Sequence, residues 1–207
     1  MIIYVNGDSH SAGYDAGGQN FSYGKHLATN LKAEFFCVAE AGSSNSRIIR
    51  TTQEYIKYRK PDLIVIGWST WEREEWFYDN RYWQINVSGI DTRWPEEIKE
   101  KYRTWITTVD WKTATSTAHE QIHNFHLTLL EKNIPHLFFN CYSDFRSEPQ
   151  KIWHNSYINP YDPTATYYTW LTNQGFESND LFHFGADAHE VWATHLTKII
   201  NESIITK

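Results

Sequence analysis

Apolar residues fall along this chain in two kinds of pattern. Short continuous runs come first. Residues 2–6 (Ile-Ile-Tyr-Val-Asn) read as a buried first strand, and residues 34–38 and 136–140 read as further strands. Residues 63–67 (Leu-Ile-Val-Ile-Gly) are apolar on both faces, as expected of a central parallel strand. Between these runs the spacing turns helical. Phe21, Leu27 and Leu31 mark a weak helix over 21–31, and Ile48, Ile49, Tyr55 and Ile56 mark one over 46–59. Ala118, Ile122, Phe125 and Leu129 form one stripe over 112–132, and Val191, Leu196, Ile199 and Ile200 a closing helix over 187–200. Strands alternating with helices predict a single α/β domain over 1–207, with a mostly parallel sheet covered on both faces. A fifth strand is not evident, and residues 151–158 are its candidate location. Residues 68–110 and 142–179 follow neither period and read as aromatic, irregular segments.

A length of 207 residues suits one domain with a sizeable core. The net charge of −6 comes without a basic block, which argues against a nucleic-acid partner. No apolar run is long enough to span a membrane, and the first residues lack the features of a signal peptide, so a cytoplasmic location is expected. Cys37 and Cys141 each sit beside an apolar run, where free buried thiols in a reducing compartment are expected rather than a disulfide. Seven of the ten tryptophans fall between Trp68 and Trp111. This insertion, at about 68–111, is either a lid or sugar-stacking platform, or a segment that packs on itself or on another copy in a homo-oligomer.

The candidate chemistry lies at two places. Gly7-Asp8-Ser9-His10-Ser11 follows the first strand, so Ser9 is expected at the carboxyl edge of the sheet, where ligands bind in open α/β folds. The residues after it, through Leu31, can form the first helix, whose N-terminus favours developing negative charge. Turn and cap residues would have the same composition. Asp180-Leu181-Phe182-His183 precedes the closing helix. There a carboxylate three residues ahead of an imidazole can orient Nδ1 and leave Nε2 to take a proton. An exposed loop with Asp180 as a cap is the plainer reading. Two rival motifs are weaker. Gly67-Trp68-Ser69-Thr70-Trp71 half matches a nucleophile elbow but lacks its last glycine. His119-Glu120-Gln121-Ile122-His123, with His126 nearby, matches a zinc-protease helix but lacks the extension, since position 129 is Leu. A solvated helix stripe explains it as well.

Together these residues resemble the SGNH (GDSL-type) hydrolases, and the overall pattern is similar to bacteriophage-encoded members. Gly7-Asp8-Ser9-His10-Ser11 resembles the first block, with Ser9 as nucleophile. Gly42 is similar to the second-block glycine. Asp180-Leu181-Phe182-His183, continued by Gly185–Ala193, resembles the last block. The resemblance implies a three-layer α/β/α sandwich with a flavodoxin-like sheet and a Ser9–His183–Asp180 triad. It implies oxyanion donors at Ser9 and Gly42. The third block departs from the family: Gly67-Trp68-Ser69-Thr70 stands for Gly-x-Asn-Asp, and Ser69 takes the place of the asparagine donor. The expected function is a serine esterase, with a carbohydrate O-acetyl group one candidate substrate. Trp68, Trp71 and His10 are the expected substrate contacts, and neither cofactor nor metal is expected. The alternatives are a non-catalytic carbohydrate- or partner-binding protein on the same scaffold and, further off, a zinc metalloprotease.

Overall fold

The computed structural model describes residues 1–179 and 181–203. The chain forms strands β1 (Ile2–Gly7), β2 (Glu34–Cys37) and β3 (Leu63–Trp68), a hairpin of β4 (Arg73–Tyr78) and β5 (Arg81–Asn86), and β6 (His136–Asn140). Its helices are α1 (Ser9–Ala12), α2 (Tyr23–Asn30), α3 (Asn45–Tyr58), α4 (Glu96–Thr108), α5 (Trp111–Glu131), α6 (Tyr167–Asn173) and α7 (Ala186–Ser203). The main sheet has the order β2-β1-β3-β6, with every pair parallel. The period-two alternation of side chains then divides the core in two. Ile3, Val5, Val65 and Phe139 pack on Leu27 of α2 and on Trp192 and Leu196 of α7. Tyr4, Ile64, Ile66 and Phe138 pack on Ile48 of α3 and on Ile122, Phe125 and Leu129 of α5. The structure is therefore the three-layer α/β sandwich expected from the alternating pattern.

The differences from that pattern have local causes. The stretch from Ser9 to Leu31 is not one helix. Gly13 and Gly17 take left-handed φ values of +68° and +103°, which end α1 and turn the chain before Ser22 caps α2. Residues 151–158 contribute only an isolated parallel bridge, Tyr157 against Phe138, at the edge of β6. The insertion is structured. Trp76, Ile85, Trp94, Ile98 and Tyr102 form a small core of their own between the hairpin and α4. Glu75 on β4 accepts two hydrogen bonds from Arg50 on α3, at 2.7 and 2.8 Å, which ties the insertion to the sandwich. Both cysteines are free. Among the described residues no helix is long and apolar enough to cross a membrane.

Candidate active site

The carboxyl ends of β1 and β3 lie side by side, with Gly7 paired to Gly67. A side chain on Gly7, at φ +151°, would sit 2.1 Å from Ser11 Oγ, so glycine is what lets the chain turn directly into α1. Asp8 is the N-cap of α1 and accepts the His10 N–H at 3.0 Å. Ser9 is therefore the first helical residue, and its N–H has no intrahelical acceptor. Across the edge, the loop before α7 presents His183. Its Nε2 lies 2.8 Å from Ser9 Oγ. The two motifs, 174 residues apart, thus meet at hydrogen-bond distance.

The other face of His183 holds a residue that sequence reasoning missed. Asp15 Oδ2 lies 2.7 Å from His183 Nδ1, a contact that becomes an ion pair when the imidazole is protonated. The same oxygen accepts from Asn179 Nδ2 at 2.8 Å. Asn179 Oδ1 in turn accepts the backbone N–H groups of Leu181 and His183, at 3.0 and 2.9 Å. Asp15 stands in a loop between glycines, with no spacing to a histidine that would single it out. Asp180, the carboxylate expected from the Asp-x-x-His spacing, lies outside the described residues.

The surroundings of His183 shift its titration downward. Burial lowers its pKa, the neighbouring His10 lowers it further, and Asp15 partly opposes both. His10 fills a different place. Its Nδ1 meets Asp8 Oδ1 at 3.0 Å and its Nε2 meets the Phe182 carbonyl at 3.2 Å. Phe182 takes a left-handed φ of +64° to present that carbonyl. Burial would raise the pKa of Asp8, but His10 and Arg73 outweigh it and hold the carboxyl well below the usual range.

Ser9, His10, Gly42 and His183 border one cavity of about 420 Å³, together with Tyr14, Arg73, Tyr142 and Phe182. Gly42 has φ +79°, and its N–H has no hydrogen-bond partner among the described residues. The remaining expected contacts lie elsewhere. Trp68 is fully buried, edge-on to Phe125 and Phe138, so its expected role as a substrate contact is corrected: it is a core residue of the α5 face. Trp71 stacks on Phe145 at 4.4 Å and borders a neighbouring cavity. Ser69 is 1% exposed; its backbone bonds the Asn45 amide, and its hydroxyl accepts from Arg73 Nη1 at 2.8 Å. The same nitrogen reaches Asp8 Oδ2 at 2.9 Å.

The metal readings find little support in these contacts. His119 bonds the Tyr161 hydroxyl at 3.1 Å, Glu120 pairs with Lys151 at 2.6 Å, and His126 bonds His136 at 2.7 Å. Among the described residues the one grouping with ligand atoms close enough for a cation is Asp8, His10 and Cys141. There both Asp8 oxygens are engaged, by His10 and by the Arg73 guanidinium, whose charge opposes a cation. Burial also pushes the Cys141 pKa well up, which keeps it a thiol.

No protein-family model and no curated protein matches the sequence. Solved structures match the fold. The psychrotrophic esterase EstA from Pseudoalteromonas sp. aligns at TM-score 0.51 and 12% identity, over 99% of this chain and 97% of that one. The structure of TesA aligns at 0.52 and 10%, over 99% and 98%. A carbohydrate esterase family 2 enzyme with a carbohydrate-binding domain, from Corynascus thermopiles (Myceliophthora fergusii), aligns at 0.52 and 16%, over 99% of this chain and 66% of that one. This chain therefore spans less than two thirds of the last enzyme's length. At these identities the likeness is one of fold, and function has to be argued from the site.

Proposed function

We propose that the protein is a serine esterase of the SGNH type acting on a carbohydrate ester, an O-acetyl group being the acyl group in view. The observation that carries this reading is the 2.8 Å contact between Ser9 Oγ and His183 Nε2 on the wall of a cavity. Ser9 Oγ attacks the acyl carbon as its proton passes to His183 Nε2. The tetrahedral oxyanion is held by the N–H groups of Ser9 and Gly42. Collapse expels the sugar alkoxide, which takes the proton from His183, and water then cleaves the acyl-enzyme by the same route.

The third donor differs from the family pattern. The Ser69 hydroxyl points its lone pair at Arg73, and Arg73 borders the cavity. In this reading Ser69 fixes the guanidinium, and the guanidinium supplies the donation that the family draws from an asparagine. The carbohydrate part of the proposal draws support from the fold match to a carbohydrate esterase and from the aromatic walls described below.

Kinetics on p-nitrophenyl acetate and on an acetylated oligosaccharide test the whole scheme. Ser9→Ala and His183→Ala are each expected to lose on the order of 10⁴ or more in kcat. Arg73→Ala is expected to lose roughly 10²–10³ in kcat with a small change in KM. Turnover by purified Ser9→Ala at the wild-type rate would remove the nucleophile assignment. An unchanged kcat in Arg73→Ala would leave the oxyanion to the backbone alone.

A further inference from the structure

Beside the catalytic cavity lies a second one of about 510 Å³. It runs between α5 on one side and β4 with the end of α4 on the other, and Arg73 borders both cavities. Two half-buried indoles, Trp71 and Trp105, form part of its wall. Both are fixed from behind. Trp71 stacks on Phe145, and Trp105 donates its Nε1–H to Glu74 at 3.1 Å while its edges meet Trp76 and Trp111. Ser46, Thr117 and Gln121 also border the cavity, are exposed, and have no side-chain hydrogen-bond partner among the described residues.

The chemistry of these walls narrows the ligand. Glu74, Glu75 and Asp110 lie on them, already engaged by indole N–H groups, by Arg50 and Gln84, and by the first turn of α5 respectively. Their charge disfavours an anionic ligand. The uncommitted hydroxyls and amide disfavour a lipid chain, which could not satisfy them. A neutral sugar ring offers what the walls lack: an apolar C–H face for an indole and hydroxyls for the open polar groups. We propose that this cavity binds the neutral oligosaccharide part of a substrate whose ester group lies at Ser9. The second half of that statement rests on the esterase reading, and the first half does not.

Two experiments separate the halves. In the first, Ser9→Ala protein is titrated calorimetrically with unacetylated pentasaccharides of β-1,4-linked xylose, mannose and glucose. At least one is expected to bind with a Kd below about 1 mM. Adding Thr117→Trp, a bulky ring at an exposed helix position, should weaken that binding roughly tenfold or more, and Gln121→Ala roughly threefold. The proposal is overturned if no pentasaccharide binds, or if binding ignores both substitutions. In the second, Thr117→Trp in the otherwise native protein should lower kcat/KM on an acetylated pentasaccharide about tenfold more than on p-nitrophenyl acetate. Equal losses on the two esters also overturn it. If native protein hydrolyses neither ester, the esterase reading fails, and the titration still decides what the cavity binds.

Discussion

In the proposed esterase reaction His183 begins without a proton and holds one part-way through. Burial and His10 favour the neutral ring, while Asp15 favours the cation that forms. Under that proposal Asp15 is the positioning residue that orients Nδ1 and steadies the imidazolium. Asp15→Asn is expected to lower kcat by on the order of 10²–10⁴. Because the Asp15 charge raises the His183 pKa, its removal should also move the acid limb of kcat/KM to lower pH. In the native protein that limb should itself lie below the ordinary histidine value of about 6.5, with activity lost as pH falls through it. Asp180→Asn, compared in parallel, should keep most of its activity. The opposite outcome, loss in Asp180→Asn with Asp15→Asn near native, returns the role to the carboxylate that the Asp-x-x-His spacing marks. Ser9 and His183 are legible in the sequence because each belongs to a short motif at the end of an element. Asp15 is not, because its relation to His183 exists only once the short 3₁₀ turn at Tyr14–Ala16, bounded by the left-handed Gly13 and Gly17, brings Asp15 against Asn179 and His183.

At the scale of elements, the strands and the long helices follow from periodicity, and the insertion does not. Its indoles left binding and self-packing open, and the structure divides them. Trp76 and Trp94 belong to the insertion's own core, Trp68 belongs to the main core, and Trp71 and Trp105 face a cavity. What fastens the insertion is an ion pair of unequal partners: the Glu75 side chain is 4% exposed and that of Arg50 27%. Removing the arginine leaves a buried carboxylate uncompensated, whereas neutralising the glutamate leaves a cation that can reach water. Arg50→Ala is therefore expected to destabilise by about 1–3 kcal/mol, and Glu75→Gln by clearly less. Denaturant unfolding of both variants checks the order, and equal or reversed losses would count against this anchoring.

Across the whole molecule, buried histidines tie elements together. His189 Nδ1 accepts the Tyr23 N–H at 3.1 Å, and its Nε2 meets the Tyr167 hydroxyl at 3.3 Å, joining α7 to α2 and α6. Burial pushes its pKa down to about 3, and burial likewise pushes His126 to about 3 and His136 to about 4. The unfolded chain takes up these protons near pH 6.5 and the native one resists them, so stability is full above about pH 6.5 and falls as the pH drops from there toward about 4. Each such histidine adds a slope of at most about 1.4 kcal/mol per pH unit in that window. Urea midpoints at about pH 7.5 and about pH 4.5 test this, and His189→Gln should flatten the difference; a midpoint that does not move with pH refutes it. The order of apolar runs by itself determined the parallel sandwich and the edge at which Ser9 lies, because burying such runs on both faces leaves few topologies. Tertiary structure alone brought Asp15 to His183 and Arg73 to Ser69, and decided which tryptophans face a cavity. Those outcomes depend on contacts between loops distant along the chain, and no local period or spacing encodes a distance across a fold.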